Sequence, residues 1–139
     1  MGCVAHRRAG LLLALSLTFA LVGCTETPRE RMASAWAAAD EERFDAYVSH
    51  FTTDSVPLVR GLVEAASRTK RAFSYVKSPY DLAPMGDILE VEERNQLAFV
   101  TVKAKERYTV RMCFEGGAWA IDGTALATLW APLKGADDG

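Results

Sequence analysis

Two adjacent glycines, Gly116-Gly117, stand between two runs of alternating apolar residues and constrain the C-terminal half of the chain more than any other feature. A two-residue type I′ turn requires positive φ at both central positions, which glycine adopts at little cost. With the glycines at those positions, the turn sets three cross-strand pairs: Phe114 with Trp119, Met112 with Ile121, and Arg111 with Asp122. A slip of one residue would break all three pairs, because it moves every side chain to the other face.

The same register argument applies one hairpin earlier, at Asn95-Gln96. A two-residue turn there predicts two further pairs: Val91 with Val100, and Leu89 with Val102. Val102 and Tyr108 share the apolar face only if the connection around Lys105 has an odd number of residues. This connection is either a three-residue loop or a bulge.

The resulting four-stranded meander has one apolar face and one polar face. The apolar face carries Leu89, Val91, Ala98, Val100, Val102, Tyr108, Val110, Met112, Phe114, Trp119 and Ile121. The polar face carries Glu90, Glu92, Thr101, Lys103, Thr109, Arg111 and Asp122. A sheet of this kind needs cover on one side only.

Three segments of helical periodicity precede the sheet and supply that cover. The first is expected over residues 31–40. The third begins after Asp54 or Ser55, either of which can cap it, and has Pro57 in its first turn. The second has an apolar face made of Phe44, Tyr47, Val48 and Phe51. The predicted fold class is α+β, with N-terminal helices packed on one face of a curled four-stranded antiparallel meander.

The first 23 residues have the composition of a secretory signal peptide. Positive charge at Arg7 and Arg8 is followed by an uncharged apolar run over residues 9–22, and Gly23 then precedes Cys24. The apolar run is shorter than the roughly 20 residues that a membrane-spanning helix needs. A retained transmembrane helix is therefore the weaker interpretation.

The four residues Leu21-Val22-Gly23-Cys24 resemble the lipobox of bacterial lipoproteins. The resemblance implies cleavage before Cys24, attachment of a diacylated lipid with fatty acids such as palmitate to its thiol, and anchoring in the cell envelope. Thr25 stands where an Asp commonly marks inner-membrane retention, which favours the outer membrane, facing the periplasm, in a Gram-negative source. The alternative is an ordinary signal peptide followed by a chance cysteine.

Cleavage at this site divides the chain into four predicted segments. They are a signal peptide at 1–23, a lipidated tether at 24–30, a single α+β domain at 31–134 and a disordered tail at 135–139. Removing 23 of the 139 residues leaves 116, the size of one domain. Without Arg7 and Arg8, 14 basic residues stand against 18 acidic ones, a net charge of −4 that does not favour nucleic acid. Cys113 is then the one unmodified thiol, so we expect no disulfide within the mature domain.

Four segments spread over the mature chain form a pattern with the predicted element order. They are Trp36 in the first helix, Phe44-Asp45-Ala46-Tyr47 in the second, the strand 98–102, and the hairpin 115–122 with its Gly-x-Trp-x-Ile element. This pattern resembles the nuclear transport factor 2-like superfamily. The resemblance implies a cone in which helices and a concave sheet enclose a pocket. Members include polyketide-cyclase-like enzymes, binding proteins and scaffolds, so the fold leaves the function open.

Catalytic members of that superfamily place an acid or base inside the cone, for which this chain offers His50 and Asp54. His50 is the one histidine outside the leader. If the second helix runs through it, His50 lies near the border of the core face and can act as a base near neutral pH. The alternatives are a surface or helix-end histidine and, for Asp54, a helix cap. One histidine without a cysteine partner argues against zinc, and no motif for a cofactor appears.

Two other features offer binding surfaces. In the segment from Phe73 to Gly86, the side chains Tyr75, Tyr80 and Met85 are candidates to line an apolar ligand pocket or contact a partner peptide, unless they only plug the core. A small apolar patch on the polar face of the sheet offers a homodimer contact, or is covered by a neighbouring segment. It consists of Ile88, Phe99 and Cys113.

The sequence favours a membrane-anchored envelope lipoprotein whose domain binds a small apolar ligand or another envelope protein without catalysis. One alternative is a small enzyme of the polyketide-cyclase or isomerase type that uses His50 or an aspartate in the cone. The other is a structural subunit of an envelope assembly.

Overall fold

The computed structural model describes residues 24–68 and 82–130 of the chain. The element order is α1 (Pro28–Asp40), α2 (Phe44–Val48), a 3-10 turn (Thr53–Ser55), α3 (Val56–Arg68), β1 (Asp87–Arg94), β2 (Leu97–Lys103), β3 (Arg107–Glu115), β4 (Ala118–Ile121) and α4 (Gly123–Trp130). The four strands form one curled antiparallel sheet in the order β1-β2-β3-β4. The predicted α+β class, with helices ahead of a four-stranded meander, is confirmed.

The register of the sheet follows from its turns. Gly116 and Gly117 have φ values of 60° and 81°, as a type I′ turn requires. The pairs that they set are observed, Phe114 with Trp119 and Met112 with Ile121. The pair of Val91 with Val100, predicted from the turn at Asn95-Gln96, is observed as well. The connection between β2 and β3 is the three-residue loop 104–106, closed by a hydrogen bond from the amide of Ala104 to the carbonyl of Glu106. The parity argument is therefore confirmed.

One predicted pair is wrong, because β1 contains a bulge at Leu89. Val102 pairs with Ile88, and the next pair along the strands joins Glu90 to Thr101, which leaves Leu89 as the extra residue. Ile88 consequently packs against the core, whereas the Leu89 side chain is 48% exposed. The sequence carries no glycine that would mark this bulge.

Helix α1 starts three residues earlier than predicted, inside the expected tether. Thr27 caps it, since its side chain accepts a hydrogen bond from the amide of Glu30 and the Glu30 carboxylate accepts one from the amide of Thr27. Pro28 occupies the first turn, where its missing N–H costs nothing. This capping box fixes the chain from Thr27 onward.

Helix α2 ends at Val48 and does not run through His50. Beyond it the backbone pairs with the free edge of β4, where Phe51 forms a parallel bridge with Ile121. The amide of Ile121 donates to the carbonyl of His50 at 2.8 Å, and the amide of Thr52 donates to the carbonyl of Ile121 at 2.9 Å. The chain leaves the helix because these longer-range partners satisfy its backbone groups.

The core lies between the helices and the apolar face of the sheet. Its largest fully buried side chains are Tyr47, Met32, Leu82, Met112, Ile121 and Leu126. The segment that precedes β1 closes one side of this core. The indole nitrogen of Trp36 donates to the carbonyl of Ala83 at 2.9 Å, and the hydroxyl of Tyr108 donates to the carbonyl of Pro84. Helix α4 follows the sheet and contributes the buried Leu126 to this core.

Replacing Gly86 with alanine is expected to destabilise the domain by about 1–3 kcal/mol, because an added methyl group cannot be accommodated without backbone movement. A Cβ at this position would lie 2.7 Å from the carbonyl carbon of Lys103 and 2.9 Å from Cα of Ala104. The measurement is the free energy of unfolding in urea for residues 25–139.

The matched control is Gly61→Ala in α3. A Cβ there meets no atom within 4 Å, and alanine stabilises a helix interior by roughly 0.5–1 kcal/mol relative to glycine. Equal effects of the two substitutions would contradict the close approach at Gly86.

Candidate functional site

His50 lies at the junction of α2, β4 and the first turn of α1, and it is 8% exposed. Its Nδ1 forms a hydrogen bond with the carbonyl of Ala46 at 2.7 Å. The neighbouring Arg31 donates from one guanidinium nitrogen to the carbonyl of Ser49 at 3.0 Å. With Glu26 and Ser34, these side chains form a group that we call the Arg31 cluster, made of Glu26, Arg31, Ser34, Ser49 and His50.

Most side-chain hydrogen bonds of the Arg31 cluster join members of the cluster to each other. Glu26 accepts hydrogen bonds from Arg31 at 3.2 Å and from the Ser34 hydroxyl at 2.9 Å. These bonds lower the pKa of the Glu26 carboxyl, the one from Ser34 most. Nε of Arg31 is buried without a hydrogen-bond partner in the described part of the chain. The cluster thus joins the start of α1 to the end of α2.

Burial lowers the pKa of His50 below its ordinary value, and the positive charge of Arg31 acts in the same direction. The hydrogen bond to Ala46 and the charge of Glu26 oppose this shift without reversing it. This shift favours the neutral imidazole at pH 7. Its backbone carbonyl accepts from Ile121, so this residue links the helices to the sheet edge.

Asp54 does not share an enclosed site with His50. It is exposed in the 3-10 turn that precedes α3. The buried hydroxyl at this turn belongs to Ser55, which forms a hydrogen bond with the Thr52 hydroxyl at 2.6 Å and accepts from the amide of Gly123 at 2.8 Å. Ser55 thereby ties the start of α3 to the start of α4.

Aromatic and apolar side chains occupy the space between helices and sheet. Trp36, Met112 and Trp119 are buried, and Phe114 contacts Trp119 edge-on with 5.2 Å between ring centroids. Within the described ranges, the buried polar or charged residues are His50, Thr52, Ser55 and Asp122. Each of these four has a hydrogen-bond partner within the protein.

Asp122 is the most constrained charged residue of the described chain. Its carboxylate pairs with the guanidinium of Arg111, at 2.8 Å from Nε. The other oxygen caps α4, accepting from the amide of Thr124 at 3.1 Å and from the amide of Ala125 at 3.2 Å. The predicted pair is confirmed, but Asp122 is buried rather than on a solvated face. Burial raises its pKa, and the hydrogen bonds from Thr124, Arg111 and Ala125 outweigh this and hold it below the ordinary value.

Of the three residues predicted to line a ligand pocket or contact a partner, the structure describes Met85. Tyr75 and Tyr80 lie outside the described residues. Met85 is 58% exposed, next to the carbonyl of Pro84 that Tyr108 holds. Met85 and Leu89 are the exposed large apolar side chains of the described chain, and the sequence missed Leu89 because the bulge turns it outward.

The apolar patch predicted on the outer face of the sheet is not present as expected. Ile88 packs against the core, Phe99 is half-buried and Cys113 is 2% exposed. Cys113 is also disulfide-bonded, whereas we expect no disulfide within the mature domain after cleavage. Cys24 is free and exposed.

Within residues 24–68 and 82–130, no group of three or more His, Cys, Asp or Glu residues is arranged to hold a metal ion. No helix in these ranges has both the length and the apolar character needed to cross a membrane. Comparison of the chain with family models, characterised proteins and solved structures finds no match.

The lowered pKa of His50 predicts a pH-dependent stability. The imidazole of His50 binds a proton more readily in the unfolded chain than in the folded one, so protonation favours unfolding. The contribution of neutral His50 to the stability is therefore complete above about pH 6.5, and it decreases as the pH falls from there toward the pKa of His50 in the folded protein. Urea unfolding of residues 25–139 between pH 7.5 and 5.5 measures this, and His50→Gln should flatten the dependence. An unchanged slope in the variant would show that His50 is not the group responsible.

Asp122→Asn is expected to lower the stability by about 1–2 kcal/mol near pH 7, since it removes the ion pair and leaves the capping oxygen in place. The pKa of the Asp122 carboxyl is lower in the folded protein than its ordinary value of 3.8, so the charged carboxylate stabilises the fold at pH values well above 3.8. This stabilisation is lost as the pH falls through 3.8 toward the pKa of the folded state. The difference between wild type and variant should therefore shrink in acid. A constant difference down to pH 2.5 would contradict the ion-pair explanation.

Proposed function

We propose that the chain is a lipoprotein precursor that is cut before Cys24 and anchored in the cell envelope, with the outer membrane favoured by Thr25. The observation that carries this proposal is the sequence Leu21-Val22-Gly23-Cys24 directly after an uncharged apolar run. An exposed, free Cys24 four residues before the first helix is compatible with acylation. A nuclear transport factor 2-like cone is the finer fold that we propose, supported by helices that precede a one-sided meander.

We further propose that the domain binds a partner and does not catalyse a reaction. Support comes from the apolar side chains between helices and sheet, and from the buried polar groups whose hydrogen bonds are internal. His50 and Asp54 occupy different environments, one buried and one exposed. No observation favours the cyclase-like enzyme or the structural subunit over a binding module.

The proposed binding surface is the outer edge of β1. Among the described residues this strand pairs with β2 alone, so its other edge is suited to an added strand. Met85 and Leu89 expose apolar side chains beside it. The strand is rich in acid, with Asp87, Glu90, Glu92 and Glu93. These features favour an envelope protein that offers an extended segment with basic and apolar residues.

The anchor is tested by Cys24→Ser in cells labelled with radioactive palmitate. The wild-type protein should carry label and sediment with membranes, whereas the variant should carry none and lose its membrane association. A variant that remains membrane-bound with its leader attached would overturn the lipobox interpretation.

The binding surface is tested by a photocrosslinking amino acid at Met85 in living cells. A discrete crosslinked species is expected, and Leu89→Asp should reduce its yield because a carboxylate replaces an exposed apolar contact. Thr109→Asp, at an exposed strand position on β3, is the matched control and should leave the yield unchanged. Equal yields in all three proteins would exclude this edge as the contact.

A further inference from the structure

The link between the proposed lipid anchor and the folded domain is unusually short. Thr25, Glu26 and Thr27 separate Cys24 from α1. Thr27 is already the cap of that helix, and Glu26 is held by Arg31 and Ser34. An extended chain covers at most about 3.6 Å per residue, so Cα of Thr27 lies within roughly 11 Å of Cα of Cys24.

We propose that the mature domain sits directly on its anchoring membrane in one orientation, with the N-terminal end of α1 and the Arg31 cluster facing the lipid headgroups. The inference rests on the proposed lipid anchor at Cys24. It adds a surface and a partner to that anchor, because a link this short does not allow the domain to turn another side toward the bilayer.

The charges at this end neither drive nor oppose the contact. The acidic Glu26 and Glu30 are matched by Arg29 and Arg31, and Glu26 is paired with Arg31. Net attraction to anionic headgroups is therefore small. The orientation follows from the length of the link and from the hydrogen bonds that fix Glu26 and Thr27.

The two ends of α1 supply positions near to and far from the proposed membrane contact. Arg29 lies in the first turn and donates to the carbonyl of Ile88 at 3.4 Å, so the start of β1 lies beside this turn. Asp40 is the last residue of the helix, about 16 Å further along its axis at 1.5 Å per residue. Arg29 is therefore the near position and Asp40 the far position.

The experiment places an environment-sensitive fluorophore on a cysteine introduced at Arg29 or at Asp40, both exposed positions, in the full chain made and processed in cells. The lipoprotein is reconstituted in vesicles of phosphatidylethanolamine and phosphatidylglycerol that contain a lipid with a nitroxide headgroup. Quenching at position 29 should be at least about twofold stronger than at position 40, given the separation of about 16 Å along the helix. Equal quenching at both positions, or stronger quenching at 40, would overturn the inference.

A second variant tests the cause. Ten Gly and Ser residues inserted between Thr25 and Glu26 keep the cap and the Glu26 contacts, and they add a flexible link with a typical span of about 17 Å. Quenching at position 29 should then fall to the level at position 40. The same ten residues added after Gly139 are the matched control and should have no effect.

Flotation of the same vesicles separates the two proposals. Protein that fails to float shows that the anchor itself is absent, and both proposals fall. Protein that floats, but is quenched equally at both labelled positions or is insensitive to the inserted linker, keeps the anchor and overturns the fixed orientation.

Discussion

The backbone hydrogen bonds of Ile121 with His50 and Thr52 join the helical half of the chain to the sheet. They occupy the edge of β4, so that the sheet is extended by a short parallel segment on that side. Ser55 adds a hydrogen bond to the amide of Gly123 close by. The positions of α2, α3 and α4 all depend on this junction, because each begins or ends within a few residues of it.

This junction explains why His50 is buried. Its main chain is needed at the sheet edge, and its imidazole satisfies the carbonyl of Ala46 at the end of a short helix. A neutral imidazole suits that place because Arg31 lies beside it. His50 thus holds these elements together, and the proposed partner surface at the outer edge of β1 is a separate part of the fold.

The sheet could be predicted where side-chain alternation and turn chemistry act locally. Gly116-Gly117 and the parity around Lys105 set the register of three strands without any knowledge of the helices. The bulge at Leu89 and the end of α2 at Val48 could not be predicted, because both depend on partners distant in sequence. The pairing of Arg111 with Asp122 could likewise be predicted from the turn, whereas the burial of Asp122 could not. That burial comes from the second role of Asp122 as the cap of α4.

The N-terminal end of α1 affects how a partner can reach the proposed binding edge. Thr27 both ends the link to Cys24 and caps α1, so the order of the domain begins almost at the proposed anchor. Arg29 connects that first turn to the beginning of β1, beside the exposed Met85 and Leu89. If the lipid holds the N-terminus at the bilayer, this apolar pair lies close to the headgroups. A partner of the β1 edge then has to approach along the membrane surface, which favours a protein resident in the same membrane over a small ligand in solution.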